Sequence, residues 1–334
     1  MASGCIFYDS PQKIKIGDSM SSVTYSNWAA QWLTRKEQLV KESTFSAYSN
    51  IVVNHLVPHF GRVGLQDITE ERIQSFAFHL LRDGRLDGAG GMCERSTRDI
   101  IVVLKNSLRD AMKLKLLPSA EFEIQYPNKQ DRFKIKVIAK SEQQKLVQAV
   151  YLALSPRSVG IMLALYTGLR IGEVCGLKWS DIDFENKMLH VNRTVQRVYR
   201  KTLDGKGKSQ IIVGPPKTRS SRREVPISAI LLPVLKRIAP ETSDVFFLSG
   251  TEKCVEVRTY RTFFDDFLKK NQLESINFHA LRHTFATRCI EAGGDCKTVS
   301  ELLGHSSVNM TLNLYVHPQI EQKRRCVELL SEIF

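Results

Sequence analysis

Three polar residues in the second half of the chain, in or next to helical segments, are candidates to carry chemistry. His279 and Arg282 are three residues apart in a helical pattern, so they share one face of a helix. Arg170 follows an apolar helical run that ends near Gly168, a place where a local core is expected. Each residue alone also fits an ordinary structural role, such as a buried histidine with an arginine partner or an arginine that binds helix carbonyls.

Two further candidates lie nearer to the C-terminus. His305 follows Gly304 between two short helical segments, and Tyr315 lies in the apolar run Leu312–Val316. A histidine or a tyrosine in such a position is by itself more often structural than catalytic. Taken together, however, the candidates form a set that requires a common explanation. The set contains two arginines, two histidines, a lysine-rich turn and one tyrosine.

A dense basic cluster lies between residues 197 and 223, where nine lysines and arginines accompany one acid, Asp204. Alternating residues from Met188 onward and the pair Asp204–Gly205 predict a β-hairpin in this region. Such charge either protects a strand edge from pairing or follows the phosphates of a nucleic acid. The cluster alone leaves both explanations open.

Four segments, in this order, resemble the sequence boxes of the tyrosine recombinase (phage integrase) family. Thr167–Glu173 resembles the box of the first catalytic arginine, and Pro216–Ile227 resembles the hairpin segment of the catalytic lysine. His279–Thr287 resembles the HxLRHT box, and Leu302–Tyr315 resembles the last box. The helical residues 21–118 resemble, less specifically, the core-binding domain of the family.

The resemblance implies transesterification at a DNA phosphodiester. It assigns Arg170 and Arg282 to the nonbridging oxygens, which suits planar, permanently charged and bidentate guanidinium groups. It makes Tyr315 the nucleophile, whose phenolate is favoured by nearby positive charge. Glu173 is implied as a supporting residue that orients these groups, although a carboxylate at a helix start explains it equally well.

The resemblance also assigns the proton transfers. Lys217 is implied as the general acid that protonates the leaving 5′-oxygen, with Lys206 and Lys208 as alternatives if the hairpin register differs. His279 is implied either as a hydrogen-bond donor to the phosphate or as the proton acceptor from the tyrosine. His305 is implied as a further donor to the phosphate.

Neither a cofactor nor a metal is expected. The implied 3′-phosphotyrosine conserves the bond energy, so that no ATP is required, and the arginines supply the charge that a metal would bring. The sequence contains no carboxylate cluster suited to Mg²⁺ and no Cys/His spacing suited to zinc.

The implied partner is double-stranded DNA at specific sites, bound by a tetramer that joins two sites. An accessory DNA-bending or directionality protein is a further candidate partner. The candidate DNA-binding residues lie around the hairpin and on a helix that begins at Glu94: Lys206, Lys208, Arg219, Arg222, Arg223, Arg95, Arg98 and Lys105.

The leading hypothesis is a site-specific recombinase, the integrase of a phage or other mobile element. The alternatives are a Xer-type recombinase that resolves dimers, a type IB topoisomerase and a DNA-binding protein without catalysis. The intact set of six site residues argues against the last alternative.

The hydrophobic periodicity predicts a mainly α fold with a small antiparallel sheet. We expect an N-terminal tail (1–20), a helical core DNA-binding domain (21–118) and a mixed α+β catalytic domain (141–318). The proline-containing basic stretch 119–140 is the expected interdomain linker. Residues 319–334 are expected to form a last helix that docks in cis or on a neighbouring subunit.

Composition agrees with this interpretation. The 334 residues suggest two domains, and the 43% hydrophobic content is that of a globular protein rather than a collagen or a disordered tail. The formal net charge of +13 favours a polyanionic partner. No apolar run is long enough for a membrane helix, and the first residues lack the apolar core of a signal peptide. Seven cysteines without a framework spacing predict free thiols, and hence a cytoplasmic protein.

Overall fold

The computed structural model describes residues 23–127, 136–203, 206–216 and 218–315, together with Arg324, Val327 and Glu328. The predicted N-terminal tail, the Asp204–Gly205 turn and Lys217 lie outside the described residues. So do residues 128–135 of the predicted linker and nearly all of the predicted C-terminal helix.

The described chain forms two compact units. The first consists of residues up to 127 and of Val198–Gln210, and the second of residues 136–197 and those from 211 onward. Each unit has its own hydrophobic core.

The first unit is helical. Its elements are α1 (Tyr25–Leu39), α2 (Glu42–Ile51), a π-helical turn (Val52–Leu56), α3 (Val57–Phe60), α4 (Glu70–Asp83) and α5 (Glu94–Lys113). Thr69 caps α4, because its side chain accepts a hydrogen bond from the amide of Arg72. The indoles of Trp28 and Trp32 are buried and donate to α5, so that α1 and α5 pack together.

At some positions of this unit, the structure differs from what the local sequence pattern predicts. Ser43 precedes an amphipathic run and is a candidate cap by its sequence, but α2 begins at Glu42, so Ser43 lies inside the helix. Leu39 fits the apolar spacing of α1, yet it is 74% exposed at the end of that helix, where spacing alone cannot show whether a partner element is present. Phe78 on α4 is likewise half exposed.

The second unit is mixed. Its helices are α6 (Lys140–Leu152), α7 (Pro156–Thr167), α8 (Ile171–Gly176), α9 (Leu231–Ile238), α10 (Val257–Lys270), α11 (His279–Glu291), α12 (Cys296–Leu303) and α13 (Val308–Tyr315). Ser141 followed by Glu142 predicts the cap of a helix, but α6 begins one residue earlier, at Lys140, and its N-cap is Ala139. Helix α7 is buried on nearly every side and packs against α9, α10 and α11.

Two small sheets complete the architecture. Strands β1 (Ile182–Asp183), β2 (Met188–Val191) and β5 (Arg223–Pro226) form an antiparallel sheet in the order β1-β2-β5. Strands β3 (Thr194–Lys201) and β4 (Gly207–Gly214) form a two-stranded ribbon whose far end belongs to the first unit. The predicted fold class, mainly α with small antiparallel sheets, is confirmed.

Candidate active site

Arg282 lies at the centre of the second unit and is 1% exposed. Because α11 packs against both α7 and α12, its guanidinium group reaches the ends of those two helices. It donates to the carbonyl oxygens of Gly168 and Leu303, each at 2.7 Å. A helix leaves its last carbonyls without partners in the helix, and a cation near these oxygens is favourable.

Glycine residues in the left-handed conformation end both helices. The φ angle is 68° at Gly168 and 64° at Gly304. A Cβ atom at Gly168 would lie 2.6 Å from the ring of Phe285, and one at Gly304 would lie 2.9 Å from the carbonyl oxygen of Ser220. Both positions therefore require glycine, for conformation and for space.

Arg170 lies beside this centre, at the start of α8. Its Nη1 donates to Glu173 Oε1 at 2.8 Å, and its Nη2 donates to the carbonyl oxygen of Gly304 at 3.3 Å. The backbone amide of Arg170 donates to Glu173 Oε2, so that this carboxylate caps the helix. The side chain of Arg170 is 35% exposed, whereas that of Glu173 is 2% exposed. A phosphate group can therefore reach the guanidinium but not the carboxylate.

The structure corrects the expected place of Arg223. The sequence suggested a surface residue that contacts DNA, but the side chain is 6% exposed and binds Glu173 through both terminal nitrogens, at 3.2 and 3.0 Å. Its Nε donates to the carbonyl oxygen of Leu302 at 2.5 Å. The sequence does contain a signal for this burial: Arg223 is two residues before the buried Val225, and alternate residues of a strand share one face.

Three arginines thus bind three successive carbonyl oxygens at the end of α12. Arg223 binds that of Leu302, Arg282 that of Leu303 and Arg170 that of Gly304. The cationic groups come from three distant segments, and one helix end holds them side by side.

Glu173 is ionised in this setting. Burial by itself would raise the pKa of its carboxyl group, but the guanidinium of Arg223, followed by that of Arg170, holds the pKa below its ordinary value. The carboxylate therefore carries a negative charge at neutral pH, as an orienting group requires.

The two histidines are neutral at physiological pH. Desolvation and the nearby His283 and Arg282 lower the pKa of His279 to about 4. Desolvation and the guanidinium groups of Arg282 and Arg170 lower that of His305 to about 4. A neutral imidazole has one donor and one acceptor nitrogen, so each ring is able to donate to a phosphate oxygen or to accept a proton.

His305 also contacts α13. Its Nδ1 lies 2.9 Å from the hydroxyl oxygen of the buried Thr311. Thr311 belongs to the last of the four resembling segments and follows the histidine by six residues, but the sequence by itself did not indicate a contact between them. Tyr315 is the last residue of α13, and its side chain lies outside the described part of the structure, as does Lys217. The structure therefore brings together Arg170, Glu173, His279, Arg282 and His305. The catalytic roles of these residues stay predictions, as do those of Lys217 and Tyr315.

The other basic candidates differ in their surroundings. Lys206, Lys208 and Arg222 are exposed, and Arg219 lies in a short 3-10 turn. On α5, the 86%-exposed Arg95 is 3.7 Å from Asp99.

Two basic residues of α5 instead bind the segment that follows this helix. Arg98 pairs with Glu94 at 2.7 Å and lies over the ring of Tyr126. Lys105 is half-buried and donates to the carbonyl oxygen of Phe122. These side chains hold the first part of the predicted linker against the helix.

A search of the described residues finds no cluster of three or more histidine, cysteine, aspartate or glutamate side chains suited to a metal ion. In the same part of the chain, no helix is both long enough and apolar enough to cross a membrane.

Two guanidinium groups beside two neutral imidazoles suit an enzyme that acts on a phosphate group. The sequence model of the Phage integrase family matches residues 136–322, and that of its N-terminal SAM-like domain matches residues 24–81. The chain belongs to the phage integrase family.

Two similar proteins match this chain over different lengths. The chain is 38% identical to a "Tyrosine recombinase XerC-like" protein of Caldanaerobacter subterraneus over 189 residues, which are 52% of this chain and 48% of that protein. It is 25% identical to the ICEBs1 integrase of Bacillus subtilis over 326 residues, 93% of this chain and 84% of that protein. The match thus spans about half the length of the first relative and most of the second.

Solved structures share the fold. The integrase of transposon Tn1549 in complex with transposon right end DNA superposes with a TM-score of 0.73, at 22% identity, over 92% of this chain and 100% of that chain. A lambda integrase dimer bound to a core site superposes with a TM-score of 0.60, at 19% identity, over 88% of this chain and 95% of that chain.

Proposed function

We propose that this protein is a site-specific DNA recombinase that cuts and rejoins DNA through a 3′-phosphotyrosine intermediate. The observation that carries the proposal is the convergence of Arg170 and Arg282 on the adjacent carbonyls of Gly304 and Leu303. Two guanidinium groups fixed in advance suit the extra charge that a phosphodiester gains in its pentacoordinate transition state. Membership of the phage integrase family and the names of the relatives support the same activity.

In the proposed reaction the hydroxyl oxygen of Tyr315 attacks the phosphorus atom. The phosphotyrosine bond forms as the bond to the 5′-oxygen breaks, and Lys217 protonates that leaving oxygen. His279 accepts the phenol proton or donates to the phosphate, and His305 donates to a phosphate oxygen. The 5′-hydroxyl of a partner strand reverses the step and rejoins the DNA, so that the bond energy is conserved.

The biological role that we favour is the integration or excision of a mobile element. The likeness to the ICEBs1 integrase extends over 93% of the chain. A Xer-type resolvase is the second candidate, because the XerC-like relative is 38% identical over the shared 189 residues. Recombination between two copies of one site, rather than between two different sites, would favour the second candidate.

We further propose that the protein acts as a tetramer on two double-stranded DNA sites, in the cytoplasm at the nucleoid, with an accessory DNA-bending or directionality protein. A lambda integrase tetramer bound to a Holliday junction has the same fold, with a TM-score of 0.59. Residues 319–334 are the segment that we expect to link neighbouring subunits. Their deletion should leave DNA binding by the monomer intact and weaken synapsis, and unchanged recombination by the truncated protein would refute this role.

A nicked DNA substrate tests the proposed activity. The cleaved end loses a short oligonucleotide next to the nick and cannot be rejoined, so that a covalent adduct accumulates. The probe is a random pool of nicked duplexes, first enriched for those that the protein binds. We expect a denaturant-resistant adduct with the wild type and none with Tyr315→Phe, which removes only the nucleophilic oxygen. No adduct on duplexes that the wild type binds would contradict the activity.

A further inference from the structure

We propose that Arg223 is a positioning residue of the active site: it neutralises Glu173 and thereby leaves the charge of Arg170 available to the scissile phosphate. The inference rests on the proposed recombinase function. Arg223 is not itself a substrate ligand, because all three of its side-chain nitrogens already bind protein oxygens of Leu302, Ser221 and Glu173.

The geometry shows a carboxylate shared by two guanidinium groups. Glu173 Oε1 accepts from Arg170 at 2.8 Å and from Arg223 at 3.2 Å, and Oε2 accepts from Arg223 at 3.0 Å. Arg223 thus contacts both oxygens, whereas the side chain of Arg170 contacts one. The paired, two-point contact is the stronger arrangement between these groups.

The contact between Arg223 and Glu173 sets the net charge of the group that these two residues form with Arg170. Two arginines and one glutamate carry a net charge of +1, and Arg170 is the member of the trio that is open to solvent. Without Arg223, the buried carboxylate would pair with Arg170 alone, and the two charges would cancel. Charges act strongly on one another in a site that is shielded from water, so this cancellation would weaken the stabilisation of the transition state.

Arg223 also connects the segments that carry the other site residues. Its Nε donates to Leu302, next to the carbonyls that Arg282 and Arg170 bind, and its Nη1 donates to the carbonyl oxygen of Ser221 at 3.1 Å. Ser221 follows Lys217 by four residues, and its hydroxyl lies 2.8 Å from that of Thr218. One side chain therefore holds the start of α8, the end of α12 and the segment after Lys217.

The test compares four variants on one nicked duplex that the wild type binds and cleaves. These are Arg223→Ala, Arg223→Lys, Glu173→Gln and the double variant of Arg223→Ala with Glu173→Gln. Arg237→Ala, on the exposed side of α9, is the matched control for the loss of an arginine. The adduct is measured in a single turnover at saturating DNA, and the dissociation constant of the same duplex is measured separately.

We expect Arg223→Ala to slow adduct formation by about 10- to 100-fold, the usual effect of a misplaced catalytic group, with little change in the dissociation constant. Arg223→Lys keeps the charge without the two-point contact and should fall between Arg223→Ala and the wild type. The double variant should be faster than Arg223→Ala alone, because it removes the uncompensated carboxylate together with the arginine. Arg237→Ala should match the wild type.

Three outcomes decide the question. A double variant that is no faster than Arg223→Ala, when both are folded by circular dichroism, overturns the charge argument. A larger dissociation constant with an unchanged rate of adduct formation would make Arg223 a DNA contact and would also overturn the proposal. An absent adduct in the wild type contradicts the recombinase function itself, so the failure of the two proposals can be told apart.

Discussion

Arg170 and Arg282 donate to consecutive carbonyl oxygens at the end of α12, at 3.3 and 2.7 Å, yet they differ in burial. The side chain of Arg170 is 35% exposed, whereas Arg282 is 1% exposed. The side chain of Arg170 is therefore partly in water, whereas that of Arg282 is enclosed by the fold, and we expect the two residues to contribute differently to stability.

We expect Arg282→Ala to lower the free energy of unfolding by about 2–4 kcal/mol, because the buried carbonyls of Gly168 and Leu303 lose their donor. Arg170→Ala should cost about 1 kcal/mol or less, because its group is partly in water and Glu173 keeps Arg223. Urea denaturation of the two variants checks the difference, and both should lose adduct formation. Equal stability losses would contradict this distinction between the two arginines.

Gly304→Ala tests the close approach of two segments at the site. Alanine in the left-handed conformation costs about 1–2 kcal/mol anywhere, and at Gly304 its Cβ would also lie 2.9 Å from the backbone oxygen of Ser220. Gly250→Ala is a matched control, because Gly250 has nearly the same φ angle and no atom lies within 4 Å of the position that its Cβ would take. In thermal unfolding, Gly304→Ala should be the more destabilised variant; equal losses would mean that the contact carries no cost.

The neutral histidines predict a loss of stability in mild acid. The pKa of His305 is about 4 in the folded protein and about 6.5 in an unfolded chain, so between these values the unfolded state binds more protons. The free energy of unfolding should therefore fall as the pH is lowered from about 6.5 toward 4, and His279 adds to the same trend. The cationic groups that face His305 are Arg282, Arg170 and Arg223.

Urea denaturation at several pH values between 5 and 6.5 measures this dependence. That window lies above the ordinary pKa of carboxyl groups, which keeps the titration of Glu173 out of the comparison. His305→Gln should show a shallower slope than the wild type, by at most about 1.4 kcal/mol per pH unit for one proton. An unchanged slope would show that His305 is not held neutral by the fold.

In the first unit, Gln74 of α4 binds the segment that follows α5, and we expect this contact to protect the segment from proteolysis. The side-chain amide of Gln74 donates to the carbonyl oxygen of Gln125 at 2.9 Å and accepts from its amide at 2.8 Å. Gln74→Ala removes both bonds and should speed cleavage after Glu121 or Glu123 by a glutamate-specific protease, about tenfold for two bonds of ordinary strength. Gln125→Ala is the control, because it keeps the backbone groups that Gln74 binds; equally fast cleavage in both variants would contradict this role of Gln74.

The exposed Lys208 of the ribbon β3–β4 is expected to make DNA binding depend on the salt concentration. If Lys208 contacts one phosphate, Lys208→Ala should weaken binding to all duplexes alike and reduce the slope of log K against log salt by about 0.9. Arg223→Ala should leave the slope unchanged, because its side chain is enclosed. Fluorescence anisotropy with a labelled duplex between about 50 and 200 mM salt covers the range in which one contact is visible.

Much of the fold was predictable because its signals are local. Helical spacing, threonine caps and turn glycines act within a few residues of the chain. The pattern of residues 296–303, for example, predicts a helix with the same two ends as α12. The apolar spacing after Glu94 predicts a helix that continues to Leu117, but α5 ends at Lys113, since the end of a helix depends on what packs against it. The short helical segment predicted after His305 is confirmed by α13, although its bounds were not predicted, because its apolar pattern also suits a core segment.

The sequence by itself determined the candidate residues, since the types and order of Arg170, His279, Arg282 and His305 are properties of the chain. The tertiary structure alone decided their surroundings. Arg223 is separated from Glu173 by 50 residues and from Leu302 by 79, so no local pattern couples them. Burial turns that arginine from a surface cation into an ion-pair partner, because a charge removed from water must be matched by the groups that enclose it.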